Sequence, residues 1–269
     1  KYAVYAKSFS LLICSCLKIG LIIYKAPLVA FAWVALLDSI LLMLGFIFYF
    51  KRYVKIKVCV TNFNKIILIQ LFKQGWSLVV AGLLTTIHIR LDLIILKEMI
   101  NVEAVGQYAA AATISSACYF VPVIVSSSLF PAIINSKKIN QKLYYDRLQK
   151  LYDLLVWIML GIAVTLSLLS YWIIDFLYGS LFNQAILVLI IHSWSGVFVA
   201  LGVVSSKWLL VENLQILSLY RVAYGVIINI FLNSLLIPDF GAPGAAVATL
   251  VSYGATAFLI DFFNKKTKK

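Results

Sequence analysis

Arg90 and Asp92 stand two residues apart inside a stretch, 75–100, that is otherwise apolar enough to cross a bilayer. A hydrocarbon core takes about 20 apolar residues to span. An arginine or aspartate at its centre costs roughly 2.5–3.5 kcal/mol on insertion scales. A chain keeps such residues where they face protein or a water-filled cavity instead of lipid. On a helix of about 3.6 residues per turn, Thr86, Arg90 and Lys97 share one narrow sector, while His88 and Asp92, with Thr85 a turn earlier, lie nearly opposite. Arg90 therefore does not pair with Asp92 on its own helix. The favoured arrangement turns Arg90 and Lys97 toward a cavity, where two cations would meet an anionic group, and buries the other face against neighbouring helices. The competing reading makes Arg90 and Asp92 members of structural ion pairs with those helices.

Other polar residues recur inside apolar segments. Arg221, Gly225, Asn229 and Asn233 fall at every fourth position of 214–237. Such a stripe of polar and small residues serves as readily for a packing seam as for a substrate path, and Arg221, near the helix end, has the alternative of snorkelling to the interface. His192 neighbours Trp194 and Ser195; a proton relay, natural for a group titrating near neutral pH, competes there with a hydrogen-bonded core histidine. Asp38 joins Asp92, His88 and His192 as a residue able to carry a coupling ion or make a structural pair. Lys207, followed by Trp208, reads as an interfacial anchor or as a lysine reaching a phosphate. Pro122 and Pro131 interrupt 104–132, where small residues abound, and mark a kinked, tightly packed helix or a gate.

Signatures of enzymes are missing. There is no GxxxxGK[ST] loop to cradle a nucleotide, no GxSxG, and the two histidines are too far apart for HExxH. Cys14, Cys16, Cys59 and Cys118 form no CxxC pair or ligand cluster. No catalytic residue, metal or cofactor is expected.

Composition sets the frame for these residues: 63% hydrophobic, 12% charged, mean hydropathy +1.00, against about 25% charged in soluble domains. The chain reads as an all-α integral membrane protein, a polytopic bundle of about eight transmembrane helices with apolar cores at 4–24, 28–50, 74–99, 104–132, 153–174, 185–210, 214–237 and 244–263. The net charge of +13 is concentrated in alternate connections, at 51–73, at 135–153 and in the tail from Lys265 to Lys269. That alternation is a positive-inside pattern and speaks against nucleic acid as a partner. It gives an even number of crossings with both ends cytoplasmic.

Ala26-Pro27-Leu28-Val29-Ala30-Phe31-Ala32 and Ala242-Pro243-Gly244-Ala245-Ala246-Val247-Ala248 open the second and eighth spans with one pattern. As a true repeat it says the fold recurs every six spans, a duplication common in transporters. The division expected is then 1–50, the last two helices of an N-terminal lobe; 51–73, a basic cytoplasmic or interfacial linker; 74–263, a complete six-helix C-terminal lobe; and 264–269, a basic cytoplasmic tail.

Several segments, in order, carry a resemblance: Phe72-Lys73-Gln74-Gly75-Trp76, Arg90-Leu91-Asp92, Glu103 through Ala111, Ser128-Leu129-Phe130-Pro131-Ala132, Ser205-Ser206-Lys207-Trp208, Tyr220-Arg221 with Asn229, and Gly241 through Thr249. The chain resembles the bacterial polysaccharide or O-antigen flippases of the multidrug/oligosaccharidyl-lipid/polysaccharide exporter superfamily. Leu93 departs from the family's usual pattern, which has Gln or a similar residue there. The resemblance implies two six-helix lobes about a central cavity, the chain supplying the end of the first and all of the second. It implies alternating-access transfer of undecaprenyl-pyrophosphate-linked oligosaccharide from the cytoplasmic to the periplasmic leaflet of the bacterial inner membrane, for O-antigen, lipopolysaccharide or other surface polysaccharide. Its partners would be that substrate, membrane lipids and a polysaccharide polymerase. The rival readings are an ion-coupled drug exporter of the same superfamily, a membrane enzyme acting on lipid-linked glycans, and a scaffold that transports nothing.

Overall fold

The computed structural model describes residues 2–53 and 65–263. Lys55, Lys57 and Cys59 of the basic linker, and Lys265, Lys266, Lys268 and Lys269 of the tail, lie outside the described residues. The elements are α1 (Tyr2–Ile23), α2 (Leu28–Tyr53), α3 (Lys65–Met99), α4 (Val102–Ala117), α5 (Phe120–Lys137), α6 (Gln141–Tyr178), a single 3-10 turn (Ser180–Phe182), α7 (Asn183–Val211) and α8 (Gln215–Phe263). No strand occurs among the described residues. Among the described residues seven stretches are long and apolar enough to cross a membrane, α4 and α5 together making one and α8 the last. Residues 65–73, which the sequence assigned to the linker, are the opening turns of α3.

Local chemistry sets most of the boundaries. Asn101 begins α4 by accepting a hydrogen bond from the Ala104 amide at 2.8 Å, and Asn140 begins α6 by accepting from the Lys142 amide at 2.8 Å; these side chains replace partners that a first turn lacks. The 102–137 stretch breaks at Cys118–Tyr119, four residues before Pro122. A proline ring collides with the carbonyl four positions back and offers it no N–H. The Cys118 carbonyl accepts instead from Val121, in a tighter turn at 3.1 Å, and Pro122 falls in the first turn of α5. Pro131 lies inside α5.

Helix α8 is two limbs, 215–240 and 242–263, separated by Gly241 at φ 58° and ψ −133°. Only glycine reaches that region without strain. The chain doubles back there: a Cβ on Gly244 would collide with the Leu236 carbonyl, and one on Gly225 with the Thr256 side chain. The limbs match the seventh and eighth spans expected from sequence.

Two compact units result, Lys1–Lys65 and Ile66–Lys269. The first is the α1–α2 hairpin. Ala6, Ser10 and Cys14 form a small-residue seam at helical spacing, and small residues let backbones approach. Ser10 Oγ donates to the Asp38 carbonyl at 3.1 Å and also to the Asp38 carboxyl group, while Cys14 Sγ lies 3.9 Å from the Val34 carbonyl.

The second unit holds two packed clusters. One gathers Ala104, Ala110 and Ala111 of α4, Val188 and Leu189 of α7, and Ala242, Ala245 and Ala246 of α8 around Leu96. The other joins Phe130 and Ile133 of α5, Leu148, Leu155 and Met159 of α6, and Val204 of α7. The alanine-rich seam brings α3, α4, α7 and the α8 hairpin close enough for buried side chains of all four to meet.

Candidate functional site

Asp92, 2% exposed, sits where those four helices converge. Its Oδ1 accepts from Asn233 Nδ2 at 2.7 Å and Asn229 Nδ2 at 3.1 Å; its Oδ2 accepts from Tyr108 OH and Thr249 Oγ1, each at 2.5 Å. A carboxylate has about four acceptor positions, so all are taken. The donors come from α4 and from both limbs of α8, and one side chain of α3 thereby fastens three helical segments. Asn233 Nδ2 also donates to Asn229 Oδ1 at 3.1 Å, and the Tyr108 and Thr249 hydroxyls lie 3.3 Å apart. Neither Asp92 nor Arg90 joins a salt bridge among the described residues. Neutral donors have replaced the ion pair that the competing reading of the sequence proposed.

Both histidines border the same place. His88 Nε2 is 3.1 Å from Ser252 Oγ, and the ring stacks on Tyr253 with centroids 4.9 Å apart. His192 Nδ1 is 2.7 Å from Ser115 Oγ, and the ring stacks on Tyr119 at 6.3 Å while meeting Tyr108 edge-on at 5.9 Å. Two serine–histidine–tyrosine sets thus flank Asp92 and Tyr108. Between them lies a cavity of about 150 Å³, bordered also by Arg90, Ala112, Thr113 and Ser116.

The remaining residues singled out in the sequence fall elsewhere. Thr86, Arg90 and Lys97 are exposed on the α3 face away from Asp92. Thr86 Oγ1 donates to the Gly82 carbonyl at 3.0 Å. Of this trio Arg90 alone borders the cavity. Asn229 and Asn233, fully buried, spend their amides on Asp92 and belong to a seam between helices. Arg221 does not snorkel: it is 6% exposed, and its Nη1 donates to Ser205 Oγ. Lys207 Nζ donates to Ser127 Oγ at 2.9 Å and lies over the Phe130 ring. Asp38 belongs to the first unit. At the far end of α5, Lys137 pairs with Glu212 at 2.6 Å, and Tyr144 OH donates to the same oxygen at 3.4 Å. Among the described residues no group of three or more His, Cys, Asp or Glu could hold a metal.

Thr249, Ser252 and Tyr253 were not picked out from sequence as site residues. A signal existed: Thr249 and Ser252 are polar positions three apart, on one face of an apolar helix. Tyr108, a phenol beside a run of four alanines, has no apolar reason for its hydroxyl.

Membrane-length helices packed around buried polar side chains and a partly open cavity make this a polytopic helical membrane protein. The family described as polysaccharide biosynthesis protein matches residues 1–187, and the chain belongs to that family. It is also 25% identical, over 170 residues, to the probable low-salt glycan biosynthesis flippase Agl15 of Haloferax volcanii. The aligned part covers 63% of this chain and 36% of that relative, so the chain spans well under two thirds of the relative's length. Both findings support a family of polysaccharide flippases, which suggests a transporter rather than an enzyme.

Proposed function

We propose that this chain is part of a flippase that moves a lipid-linked oligosaccharide, with undecaprenyl pyrophosphate as the lipid carrier, from the cytoplasmic to the outer leaflet by alternating access. The observation that carries the reading is the cavity inside the helix bundle with Arg90 at its edge, found in a member of a polysaccharide biosynthesis family. A guanidinium makes strong, directional bonds to phosphate or carboxylate. Lys97 adds positive charge on the same helix face. The destination is surface polysaccharide of the O-antigen or lipopolysaccharide kind, in the inner membrane, with the C-terminus cytoplasmic and a polymerase acting next on the product. Residues 1–50 belong to the end of a first lobe and 74–263 to a second, with 51–73, whose last residues open α3, between them.

Coupling to an ion is assigned to the Asp92 cluster. A cation reaching that carboxyl group must displace one of the donors that tie α3 to α4 and α8, and a proton must reverse or displace one, so either changes how those helices are held. The drug-exporter reading fits less well, because it needs an acid free to meet a cationic drug, and the four positions on Asp92 are occupied.

The test places the chain, with its natural flanking sequence, in a strain lacking its own flippase, and scores surface glycan with and without Arg90→Ala at equal membrane abundance. Restoration by wild type and loss in the variant support the reading. Restoration by both removes Arg90 from the substrate path. If wild type restores nothing but lowers drug accumulation, the exporter reading replaces this one.

A further inference from the structure

We propose that the cavity between the two histidine–tyrosine stacks is a subsite for one sugar ring of the transported glycan, with a preference for a ring that bears a carboxylate. The proposal rests on the translocation reading above and narrows it to a place and a chemistry. A pyranose presents C–H groups on its two faces and hydroxyls around its rim. The cavity offers the matching parts. Its walls include the His88–Tyr253 pair from α3 and α8 and the Tyr119–His192 pair from α5's leading edge and α7. Aromatic faces carry partial negative charge and aromatic edges positive, so sugar C–H groups seat against them where plain alkyl surface gives less.

The polar complement is also present. Thr113 and Ser116 are exposed at the α4 border of the cavity; Thr113 Oγ1 donates to the Ala109 carbonyl at 2.7 Å and Ser116 Oγ to the Thr113 carbonyl at 3.3 Å. With their protons committed to the helix, these oxygens are left as acceptors for sugar hydroxyls. Each imidazole has one nitrogen beside a serine hydroxyl, and both rings border the cavity. Arg90 at the edge supplies a planar fork of N–H groups suited to a carboxylate. Size agrees. A cavity of about 150 Å³, at roughly 30 Å³ of liquid volume for each water, holds on the order of five waters, the bulk of a single sugar ring. It is well below the 300–1,000 Å³ or so of sites for drug-sized ligands.

Purified protein in nanodiscs, carrying its natural flanking sequence, is exposed to methyl glucuronide and methyl glucoside, and ligand saturation transfer is read by NMR. The expected result is several-fold stronger saturation of the glucuronide. Ala112→Phe, which fills the cavity, removes both signals, and Arg90→Gln brings the glucuronide down to the level of the glucoside. Thr113→Val, at an exposed position that leaves the fold alone, weakens both. Equal saturation of the two glycosides by wild type contradicts the acidic preference. Saturation untouched by both Ala112→Phe and Thr113→Val contradicts the subsite. If neither glycoside saturates while wild type restores surface glycan in the flippase-deficient strain, the subsite is wrong and the translocation reading stands. Cavity-dependent saturation on a protein that restores no glycan supports the sugar site and overturns translocation.

Discussion

Replacing Asp92 with alanine takes away the one acceptor shared by Tyr108, Thr249, Asn229 and Asn233. Some of the loss repairs itself. The Tyr108 and Thr249 hydroxyls are already 3.3 Å apart and can bond each other, and Asn233 keeps its bond to Asn229. About two donors remain without a partner, and a buried donor left unsatisfied costs about 1–3 kcal/mol. Polar contacts between membrane helices average only about 0.6 kcal/mol each, because the unfolded chain in the membrane also finds partners; four of them still come to about 2.4. The two estimates meet at a loss of at least 2 kcal/mol. With roughly 2–4 °C of Tm per kcal/mol in a domain of this size, Asp92→Ala should melt at least 4 °C below wild type in detergent. Asp92→Asn keeps one acceptor oxygen and presents an amide to hydroxyls able to turn and accept, so it should lose less than half as much. A thermal-shift series on wild type, Asp92→Asn and Asp92→Ala reads both. An alanine variant melting within 1 °C of wild type would refute the claim that this residue fastens α3 to its neighbours.

Further expectations follow from named contacts. Gly225→Ala drives a methyl group into Thr256, whose rotamer is fixed by its bond to the Tyr253 carbonyl at 2.7 Å; a loss of about 1–3 kcal/mol is expected, and Thr256→Ser alongside it should restore most of the Tm. Gly241→Ala forces a Cβ onto a backbone with φ 58° and ψ −133°, costing about 1–3 kcal/mol, and an unchanged Tm would mean that the chain does not turn there as described. A double-mutant cycle on Lys137 and Glu212, whose side chains are 35% and 24% exposed, should return a coupling of about 1 kcal/mol or less that shrinks as salt is raised; a coupling above about 3 kcal/mol contradicts the solvent access described. Pro122→Ala gives α5 the N–H it lacks toward Cys118, so spin-label distances across 114–126 should lengthen as α4 and α5 straighten into one helix.

Much of this architecture can be read without coordinates because lipid enforces it. Long apolar stretches separated by basic or turn-forming segments have little choice but to be helices, and Pro122 marks the 104–132 span for a kink, which falls at Cys118–Tyr119. The helical wheel of 75–100 likewise separates an Arg90 sector from an Asp92 sector; Thr86, Arg90 and Lys97 are exposed, while His88 and Asp92 are buried. What the wheel cannot hold is the third dimension. Arg90 and Asp92, assigned to opposite faces, border one cavity, because a lining residue need only reach a rim. The asparagine stripe of 214–237 was visible as a stripe. Its meeting with Asp92 depends on the reversal at Gly241 and on alanine contacts across four helices, none of which has a periodic signature. The same holds for Tyr108 and Thr249, single hydroxyls from two other segments. Local sequence encodes helices and their faces, whereas a site assembled from four helices is encoded in how those faces pair.

The most direct test of the central claim is translocation itself. Protein with its natural flanking sequence is reconstituted into vesicles containing a fluorescent short-chain lipid-pyrophosphate oligosaccharide, and an impermeant reductant is then added outside. Translocation predicts that quenching passes the half expected for lipid fixed in two leaflets and approaches completion, and that Arg90→Ala slows the second phase. Quenching that halts at half in sealed vesicles known to contain folded protein, with and without an imposed ion gradient, would contradict the account.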